Sequence, residues 1–243
     1  MDIREKLNLD YKGLIEHGPI TIVAFGDSVT HGAFGHGVFD YDAVYHRVLA
    51  RKISSLRTYV PVNVINAGIG GTNAKQSLER MDEQVLSHNP DLVTVCFGLN
   101  DVNGSLEGFI DSLREIFRRL KERNIETVFM TPNMLNTYVV DPTPENLTSY
   151  AAKTAEMQNS GKMDAFMDAA RELCRECGVK VADAYAVWRE MSKTEDTTKL
   201  LANDINHPNR EMHELFADIL LKTIFESTDG VSSKTESAMY RGK

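Results

Sequence analysis

The stretch TIVAFGDSVTHG, residues 21 to 32, changes from apolar residues to small polar ones at Gly26, Asp27 and Ser28. A serine hydroxyl becomes an effective nucleophile when a base within hydrogen-bonding reach removes its proton. Ser28 stands just after an apolar run, where it could be a nucleophile held at the carboxyl edge of a sheet. Glycine, aspartate and serine also form ordinary turns, so this stretch alone fits a strand-to-helix turn equally well.

Two further stretches come after apolar runs and could stabilise negative charge. NAGIGGTNA, at 66–74, has glycines that let the backbone approach a ligand closely, with an N–H directed at developing charge. FGLND, at 97–101, offers the side-chain N–H of Asn100, while Asp101 could hold the loop or cap the next element. Both stretches suit a site for acyl transfer.

A candidate base lies near the end of the chain, in NDINHPNREMHELF at 203–216. Asp204 stands three residues before His207, within reach across a single turn. Histidine suits general base catalysis because its unperturbed pKa lies near neutrality, and a neighbouring carboxylate can fix its tautomer. Each of these short stretches is common by itself, and its usual meaning is a turn or a surface feature.

Together, and in this order, the four stretches resemble the SGNH hydrolases, also called the GDSL esterase/lipase family. The blocks of that family are G-D-S, a glycine in N-A-x-x-x-G, G-x-N-D and D-x-x-H. They stand here as FGDSVTHG, NAGIGG, GLND and DINH, and the resemblance covers about residues 20–225.

The resemblance implies a catalytic role for each matching position. Ser28 would be the nucleophile, His207 the general base, and Asp204 the carboxylate that orients His207. The oxyanion hole would consist of the backbone N–H of Ser28, the backbone N–H of Gly71 and the side chain of Asn100.

The glycine of the oxyanion hole is assigned from its place in the pattern. Gly71 rather than Gly70 is the sixth residue of N-A-x-x-x-G. The family usually has Asp or Asn after that glycine, and Thr72 stands here instead. Thr72 therefore changes the hydrogen bonding expected next to Gly71, but it does not change the oxyanion role implied for Gly71.

Residues near the site are also candidates for substrate contact. We assign this role to Asp27 and His31 beside the nucleophile, and to Met134 and Tyr138 in the long segment after the fourth apolar run. Asp27 also has the alternative role of organising the turn.

Histidines outside the motif are predicted to be ordinary structural or surface residues. His46 is predicted on a surface, and His213 is predicted to face solvent from the last helix.

Apolar runs of strand length alternate with stretches of helical periodicity, which predicts an α/β fold. The runs are continuously apolar, as expected for a parallel sheet covered on both faces. We expect a three-layer α/β/α sandwich with a five-stranded parallel sheet, the flavodoxin-like fold of SGNH hydrolases. Predicted strands are 20–26, 62–66, 91–97, 126–131 and 179–182. Predicted helices are 41–57, 74–88, 105–123, 145–158, 162–177, 184–193 and 209–226.

The predicted organisation is one hydrolase domain with short additions. Residues 1–17 form an N-terminal arm or short helix, residues 18–226 form the single domain, and residues 227–243 form a polar tail. The segment 132–161 is longer than usual for a connection and leaves the carboxyl end of a strand, so we expect a substrate-side insertion.

Composition excludes several classes of partner. The 243 residues carry a net charge of −8 without a basic tract, which argues against nucleic acid. No apolar run approaches the length of a membrane helix, and the first twenty residues do not resemble a signal peptide, so we expect a cytoplasmic location. The three cysteines fit a reducing compartment, and no cofactor or metal is expected.

The predicted function is hydrolysis of carboxylic esters through an acyl-enzyme intermediate. A small soluble ester is the expected substrate, with an acetylated carbohydrate preferred. The first alternative is a thioesterase or lysophospholipase that acts on longer acyl chains. A metallophosphoesterase is a further alternative, and a catalytically inactive flavodoxin-like binding module is the alternative without enzymatic activity.

Overall fold

The computed structural model describes residues 1–226 of the chain, and its centre is one sheet. The strands are β1 (Ile20–Gly26), β2 (Val62–Gly68), β3 (Leu92–Cys96), β4 (Glu126–Met130) and β5 (Lys180–Ala182). Their order is β2-β1-β3-β4-β5, and each neighbouring pair is parallel. The predicted five-stranded parallel sheet is confirmed, and the observed strands begin and end within two residues of the predicted ones.

The central strands are buried on both faces and end at the same level. Every residue of β3 is buried, and in β1 only Thr21 is partly exposed. Gly26, the last residue of β1, pairs with Gly68 of β2 and with Cys96 of β3. Because these three strand ends are level, the loops after them begin side by side at one edge of the sheet.

Helices cover both faces of the sheet. Within residues 1–226 they are α1 (Ile3–Leu7), α2 (Tyr11–His17), α3 (Ser28–His31), α4 (Tyr45–Leu56), α5 (Ala74–Ser77), α6 (Met81–Gln84), α7 (Leu106–Glu122), α8 (Glu145–Asn159), α9 (Lys162–Cys177), α10 (Ala184–Met191) and α11 (Arg210–Phe225). On one face α4 packs against α11, and on the other α7 packs against α9. The structure is the predicted three-layer α/β/α sandwich.

One predicted helix, 74–88, is wrong. This segment consists of α5, α6 and two short 3₁₀ turns, Leu78–Arg80 and Leu86–His88. Arg80 lies at a junction between two of these pieces, and its guanidinium donates to the backbone carbonyls of Gly26 and Ala67 at 3.0 and 2.6 Å. Because the Arg80 side chain binds the ends of β1 and β2, the backbone of residues 74–88 is favoured as short helical pieces over one continuous helix.

The first residues of the chain pack onto the domain. Ile3 and Leu7 of α1 are buried in the core, and the Lys6 ammonium lies 2.7 Å from the Asp91 carboxylate. In contrast, α2 has no buried residue. The tail predicted at 227–243 lies outside the described residues. None of the helices that residues 1–226 form combines the length and the apolar character needed to cross a membrane.

The long connection after β4 has two parts. Residues 131–144 run without helix or strand, and α8 comes next. The Asn136 N–H donates to the carbonyl of Ile205 at 2.9 Å, and the Asn133 side chain donates to the carbonyl of Asn206 at 2.9 Å. The first part therefore lies against the loop that precedes α11.

Candidate active site

Ser28 is the first residue of α3, which follows β1 directly, and we call residues 26–31 the nucleophile turn. Asp27 caps α3, and one of its carboxylate oxygens accepts the N–H of Val29 at 3.0 Å. A Cβ at Gly26 would lie 2.1 Å from the hydroxyl of Thr30 and 2.6 Å from the carbonyl of Cys96, so only glycine fits there. As the first residue of a helix, Ser28 has a backbone N–H without an intrahelical acceptor.

The hydroxyl of Ser28 meets the imidazole of His207. The distance from Ser28 Oγ to His207 Nε2 is 3.0 Å, although the two residues are 179 positions apart in sequence. Ser28 is only 8% exposed. The hydroxyl is therefore buried beside a half-buried imidazole, within the reach that proton transfer requires.

His207 belongs to a loop, residues 201–208, that we call the histidine loop. A bridge between Leu201 and Pro208 closes this loop. Inside it, the side-chain oxygen of Asn203 accepts three backbone N–H groups, those of Ile205, Asn206 and His207, at 3.1, 2.9 and 2.8 Å. Sequence reasoning missed Asn203, and the turn-forming N-D pair in NDINH is the signal that could have found it.

The second ring nitrogen of His207 has a different partner from the predicted one. His207 Nδ1 lies 3.1 Å from the carbonyl oxygen of Phe34. Within residues 1–226 the Asp204 carboxylate makes no hydrogen bond or ion pair with His207, which corrects the predicted orienting contact. Asp204 has a left-handed backbone, with φ of 57°, and its N–H donates to the carbonyl of Leu201.

The Phe34 carbonyl is held by a buried side chain. The Phe34 ring is buried, with its centroid 4.5 Å from that of His213, and the guanidinium of Arg210 lies 4.9 Å from the ring centroid. The Phe34 N–H donates to the carbonyl of Val38 at 2.9 Å. No motif in the sequence marked Phe34, because it acts through its backbone.

Burial sets the charge of His207. Desolvation lowers the pKa of His207, the hydrogen bond to Phe34 offsets part of this effect, and His36 lowers the pKa further. The imidazole is therefore neutral at neutral pH. With its Nδ1–H donated to a carbonyl, a neutral ring presents an unprotonated Nε2 to Ser28.

The residues predicted to form the oxyanion hole, Gly71 and Asn100, line one cavity with Ser28. Gly70 and Gly71 line the same cavity as Ser28, and Gly71 has a φ of 79°. The N–H of Gly70 donates to His31 Nδ1 at 3.3 Å, whereas the N–H of Gly71 has no acceptor among residues 1–226. Asn100 also lines this cavity, and its amide nitrogen donates to the carbonyl of Thr72 at 2.9 Å. Because a side-chain amide has two N–H groups, the second one is available.

Two buried acids lie beneath the donors. Asp101 accepts the N–H of Ala74 at 2.9 Å and that of Gly98 at 3.0 Å, so it ties together the loops after β2 and β3. Burial raises the pKa of Asp101 to about 6. Burial, helped by the nearby Asp101, raises the pKa of Asp27 to about 7, and one Asp27 oxygen has no partner within residues 1–226.

A cavity of about 480 Å³ opens above Ser28 and His207. The glycine-rich loop after α3 forms one wall, with Phe39 as its aromatic residue. The opposite wall includes Leu147 and Tyr150 of α8, and the Tyr150 hydroxyl accepts from the amide of Asn206 at 3.2 Å. The insertion therefore contributes to the site through its helix.

Three predicted substrate contacts are wrong. Asp27 is completely buried because it caps α3, and Met134 is buried in the core because residues 131–144 pass behind the histidine loop. Tyr138 is not among the residues that line the cavity, and its hydroxyl donates to Asp196 at 2.7 Å. His31 lies next to the site, where it accepts the N–H of Gly70 and lines a neighbouring cavity.

The predicted exposure of two histidines is also wrong. His46 and His213 are buried, since α4 and α11 pack against each other. His213 Nδ1 accepts the N–H of Tyr45 at 3.1 Å, and His46 Nε2 lies 3.0 Å from the carbonyl of Thr30. Among residues 1–226, no three histidine, cysteine or acidic side chains are grouped as metal ligands would be.

The chain is similar to known proteins over most of its length. The GDSL esterase/lipase CPRD49 of Arabidopsis thaliana is 25% identical over 221 residues, which cover 85% of this chain and 79% of that protein. An acetylxylan esterase of Geobacillus stearothermophilus is 23% identical over 208 residues, 84% of this chain and 93% of that protein. The solved structure of Axe2, an acetylxylan esterase from the same organism, superposes with a TM-score of 0.67 at 22% identity, covering 86% of this chain and 95% of Axe2.

A family model matches most of the chain. The matched region is residues 24–215, which contains the nucleophile turn, the loops after β2 and β3, and the histidine loop. The chain therefore belongs to the GDSL-like lipase/acylhydrolase family and is a serine ester hydrolase.

Proposed function

We propose that this enzyme removes acetyl groups from carbohydrates, with Ser28 as nucleophile and His207 as general base. The observation that carries the assignment of these two residues is the 3.0 Å contact between Ser28 Oγ and His207 Nε2. A neutral, half-buried imidazole beside a buried hydroxyl is the arrangement that general base catalysis requires.

The reaction begins when Ser28 Oγ attacks the carbonyl carbon of the ester. His207 Nε2 takes the hydroxyl proton as the bond forms, and the carbonyl oxygen becomes an oxyanion. The C–O bond to the sugar then breaks, and the sugar oxygen leaves with the proton from His207. In the second half, His207 Nε2 removes a proton from water, which attacks the carbonyl carbon of the acetyl-serine. The bond from that carbon to Ser28 Oγ then breaks, Oγ takes the proton back from His207, and acetate is released.

Three donors would stabilise the oxyanion. They are the N–H of Ser28, the N–H of Gly71 and the second amide N–H of Asn100. The first two have no acceptor within residues 1–226, and Asp101 fixes the loops that carry Gly71 and Asn100. Loss of one such donor typically raises the barrier by about 3–4 kcal/mol.

We further propose that the Phe34 carbonyl orients His207 in place of a carboxylate. An accepted hydrogen bond at Nδ1 selects the tautomer in which Nε2 is the base, and it stabilises the imidazolium that forms. Solved structures of Axe2 include catalytic mutants of a serine, an aspartate and a histidine, the last two three positions apart. Asp204 has the same spacing to His207 here, and the Asp204→Asn variant tests its contribution.

Acetylated carbohydrate is supported by two observations. A curated relative is named an acetylxylan esterase. In addition, the cavity of about 480 Å³ combines polar groups at its base with the Phe39 ring at its wall, and a ring of this kind can pack against the C–H face of a sugar.

The test compares the enzyme with its Ser28→Ala variant. We expect the enzyme to release acetate from acetylated xylo-oligosaccharides and from p-nitrophenyl acetate, and we expect Ser28→Ala to lower kcat about 10⁴-fold or more on both. A series of p-nitrophenyl esters from two to twelve carbons should show highest kcat/KM at the shortest chain. Preference for long chains would instead favour a thioesterase or lysophospholipase, and full activity of Ser28→Ala would exclude the assigned nucleophile.

A further inference from the structure

A second cavity, of about 450 Å³, lies beside the catalytic one. His31, Tyr41, Asp42, Arg47 and Asn66 are among its lining residues. Between the two cavities lies a cluster of three rings, His31, Phe39 and Tyr41, which we call the aromatic ridge, and the ring centroids of His31 and Tyr41 are 6.1 Å apart. The ring centroids of His31 and Phe39 are 4.9 Å apart, and those of Phe39 and Tyr41 are 6.3 Å apart with nearly parallel planes.

The ridge begins next to the nucleophile. His31 ends the helix that Ser28 begins, and a Cβ built at Gly70 would lie 3.7 Å from both Ser28 Cβ and His31 Nδ1. Phe39 lines the catalytic cavity, whereas Tyr41 lines the second one. A ligand that extends from Ser28 across the ridge would therefore pass from one cavity to the other.

The ridge presents apolar surface to water in a fixed geometry. Phe39 is 47% exposed and Tyr41 is 56% exposed. Their loop is fixed by a bridge between Ala33 and Phe39, and by the Asp40 carboxylate, which pairs with Arg210 at 2.8 Å. Exposed rings on a rigid loop cost little conformational entropy when a ligand covers them.

The second cavity also has charged groups without a partner. Asp42 and Arg47 are exposed, and neither forms an ion pair among the residues that the structure describes. One carboxylate and one guanidinium give no net charge, so the cavity does not select an anion. The Asp42 carboxylate has two acceptor oxygens, and the Arg47 guanidinium has several N–H donors in one plane. Both groups suit the neighbouring hydroxyls of a sugar ring.

We propose that the second cavity binds the sugar unit next to the acetylated one, with Phe39 and Tyr41 against the C–H faces of the chain. This inference rests on the proposed function and makes it more specific, because it assigns an oligosaccharide rather than an acetylated monosaccharide as the substrate. Asp42 and Arg47 bind hydroxyl groups of the second unit.

The experiment compares acetylated xylose, acetylated xylotriose and p-nitrophenyl acetate as substrates of the enzyme and of Tyr41→Ala. We expect kcat/KM to be about tenfold higher for the trisaccharide than for the monosaccharide in the unaltered enzyme. Tyr41→Ala should remove most of this advantage through KM, with little change on p-nitrophenyl acetate. Tyr59→Ala is the matched control, because Tyr59 is 50% exposed and lines neither cavity.

The outcomes separate the two proposals. Equal kcat/KM values for both acetylated sugars, unchanged in Tyr41→Ala, would overturn the second-cavity inference and leave acetylated carbohydrate as the substrate class. Hydrolysis of p-nitrophenyl acetate without deacetylation of either sugar would overturn both. An equal loss in Tyr41→Ala on all three substrates would show an effect on the catalytic groups themselves, and would also exclude the inference.

Discussion

The nucleophile turn and the histidine loop meet at one hydrogen bond, but they are held in different ways. The nucleophile turn continues a central strand, and the level ends of β1, β2 and β3 bring its neighbouring loops to the same edge. The histidine loop does not continue a strand directly. Its shape depends on the side-chain amide of Asn203, and its catalytic ring is directed by the carbonyl of Phe34.

The two regions should therefore differ in how strongly a side-chain substitution lowers activity and stability. Backbone pairing within a buried sheet fixes the nucleophile turn, so the turn can tolerate loss of a polar side chain. The histidine loop relies on a few side-chain hydrogen bonds, and one lost acceptor leaves several buried N–H groups unpaired. Three variants test this contrast.

The largest effect is expected for Asn203→Ala. The N–H groups of Ile205, Asn206 and His207 would lose their shared acceptor, at a cost of about 1–3 kcal/mol for a buried unpaired group. We expect the free energy of unfolding to fall by about 2–4 kcal/mol and kcat to fall about 100-fold, as measured by denaturant titration and steady-state kinetics.

Asn203→Asp is the control for that variant. It retains the acceptor oxygen for the three N–H groups, and it replaces the amide that donates to the Asn206 side-chain oxygen at 2.8 Å with a second carboxylate oxygen. Its kcat should therefore lie well above that of Asn203→Ala. Wild-type kcat in Asn203→Ala would mean that the loop holds its shape without this side chain.

An intermediate effect is expected for Asp204→Asn. Because the Phe34 carbonyl occupies Nδ1 of His207, we expect kcat to fall less than about tenfold, and the apparent pKa of kcat/KM on the acid side to stay unchanged. The measurement is a pH–rate profile of both proteins on p-nitrophenyl acetate.

A loss of about 10³-fold or more would contradict this expectation. If the apparent pKa also fell, the loop would have to move during catalysis so that the Asp204 carboxylate reaches the imidazolium.

The smallest effect on activity is expected for Asp27→Asn. The amide oxygen can still accept the N–H of Val29, so α3 keeps its cap and kcat should change less than about threefold. Stability should respond to pH instead. The pKa of Asp27 is about 7 in the folded protein, above its ordinary value of 3.8, so its stabilising contribution is complete below pH 3.8 and is lost as pH rises through 7.

The variant lacks this titration. The free energy of unfolding of Asp27→Asn, relative to the unaltered enzyme, should therefore increase between about pH 5 and pH 7, by at most about 1.4 kcal/mol per pH unit. Denaturant titration of both proteins at several pH values measures this difference in the free energy of unfolding. Parallel pH curves for the two proteins would show that the Asp27 carboxyl keeps its ordinary pKa.

Sequence patterns predicted the sheet and the nucleophile turn because both depend on local, repeated signals. Continuous apolar runs marked the strands, and small residues after the first run marked the turn at Ser28. The meeting of Ser28 with His207 was predicted from four short blocks in a familiar order. These features need no knowledge of individual side-chain contacts.

The remaining features depend on contacts that no local pattern contains. The Phe34 carbonyl could not be predicted because any residue has a carbonyl, and its place results from a buried ring packed on His213. Burial of His213 in turn depends on how α11 packs against α4. Similarly, Met134 and Tyr138 are apolar or aromatic residues in the expected insertion, but the chain passes behind the histidine loop before α8 reaches the cavity.

The attachment of α8 has a consequence for redesign of the enzyme. Tyr150 binds Asn206, the Thr154 hydroxyl donates to the Asn136 side chain, and the Gln158 side chain accepts the N–H of Leu135 at 2.9 Å, so this wall is fastened at several points along its length. Leu147 lines the same cavity, nearer the start of the helix, and its side chain makes no polar contact of this kind. Shortening Leu147 should enlarge the space for bulkier esters, whereas replacing Tyr150 would also loosen the support of the catalytic base.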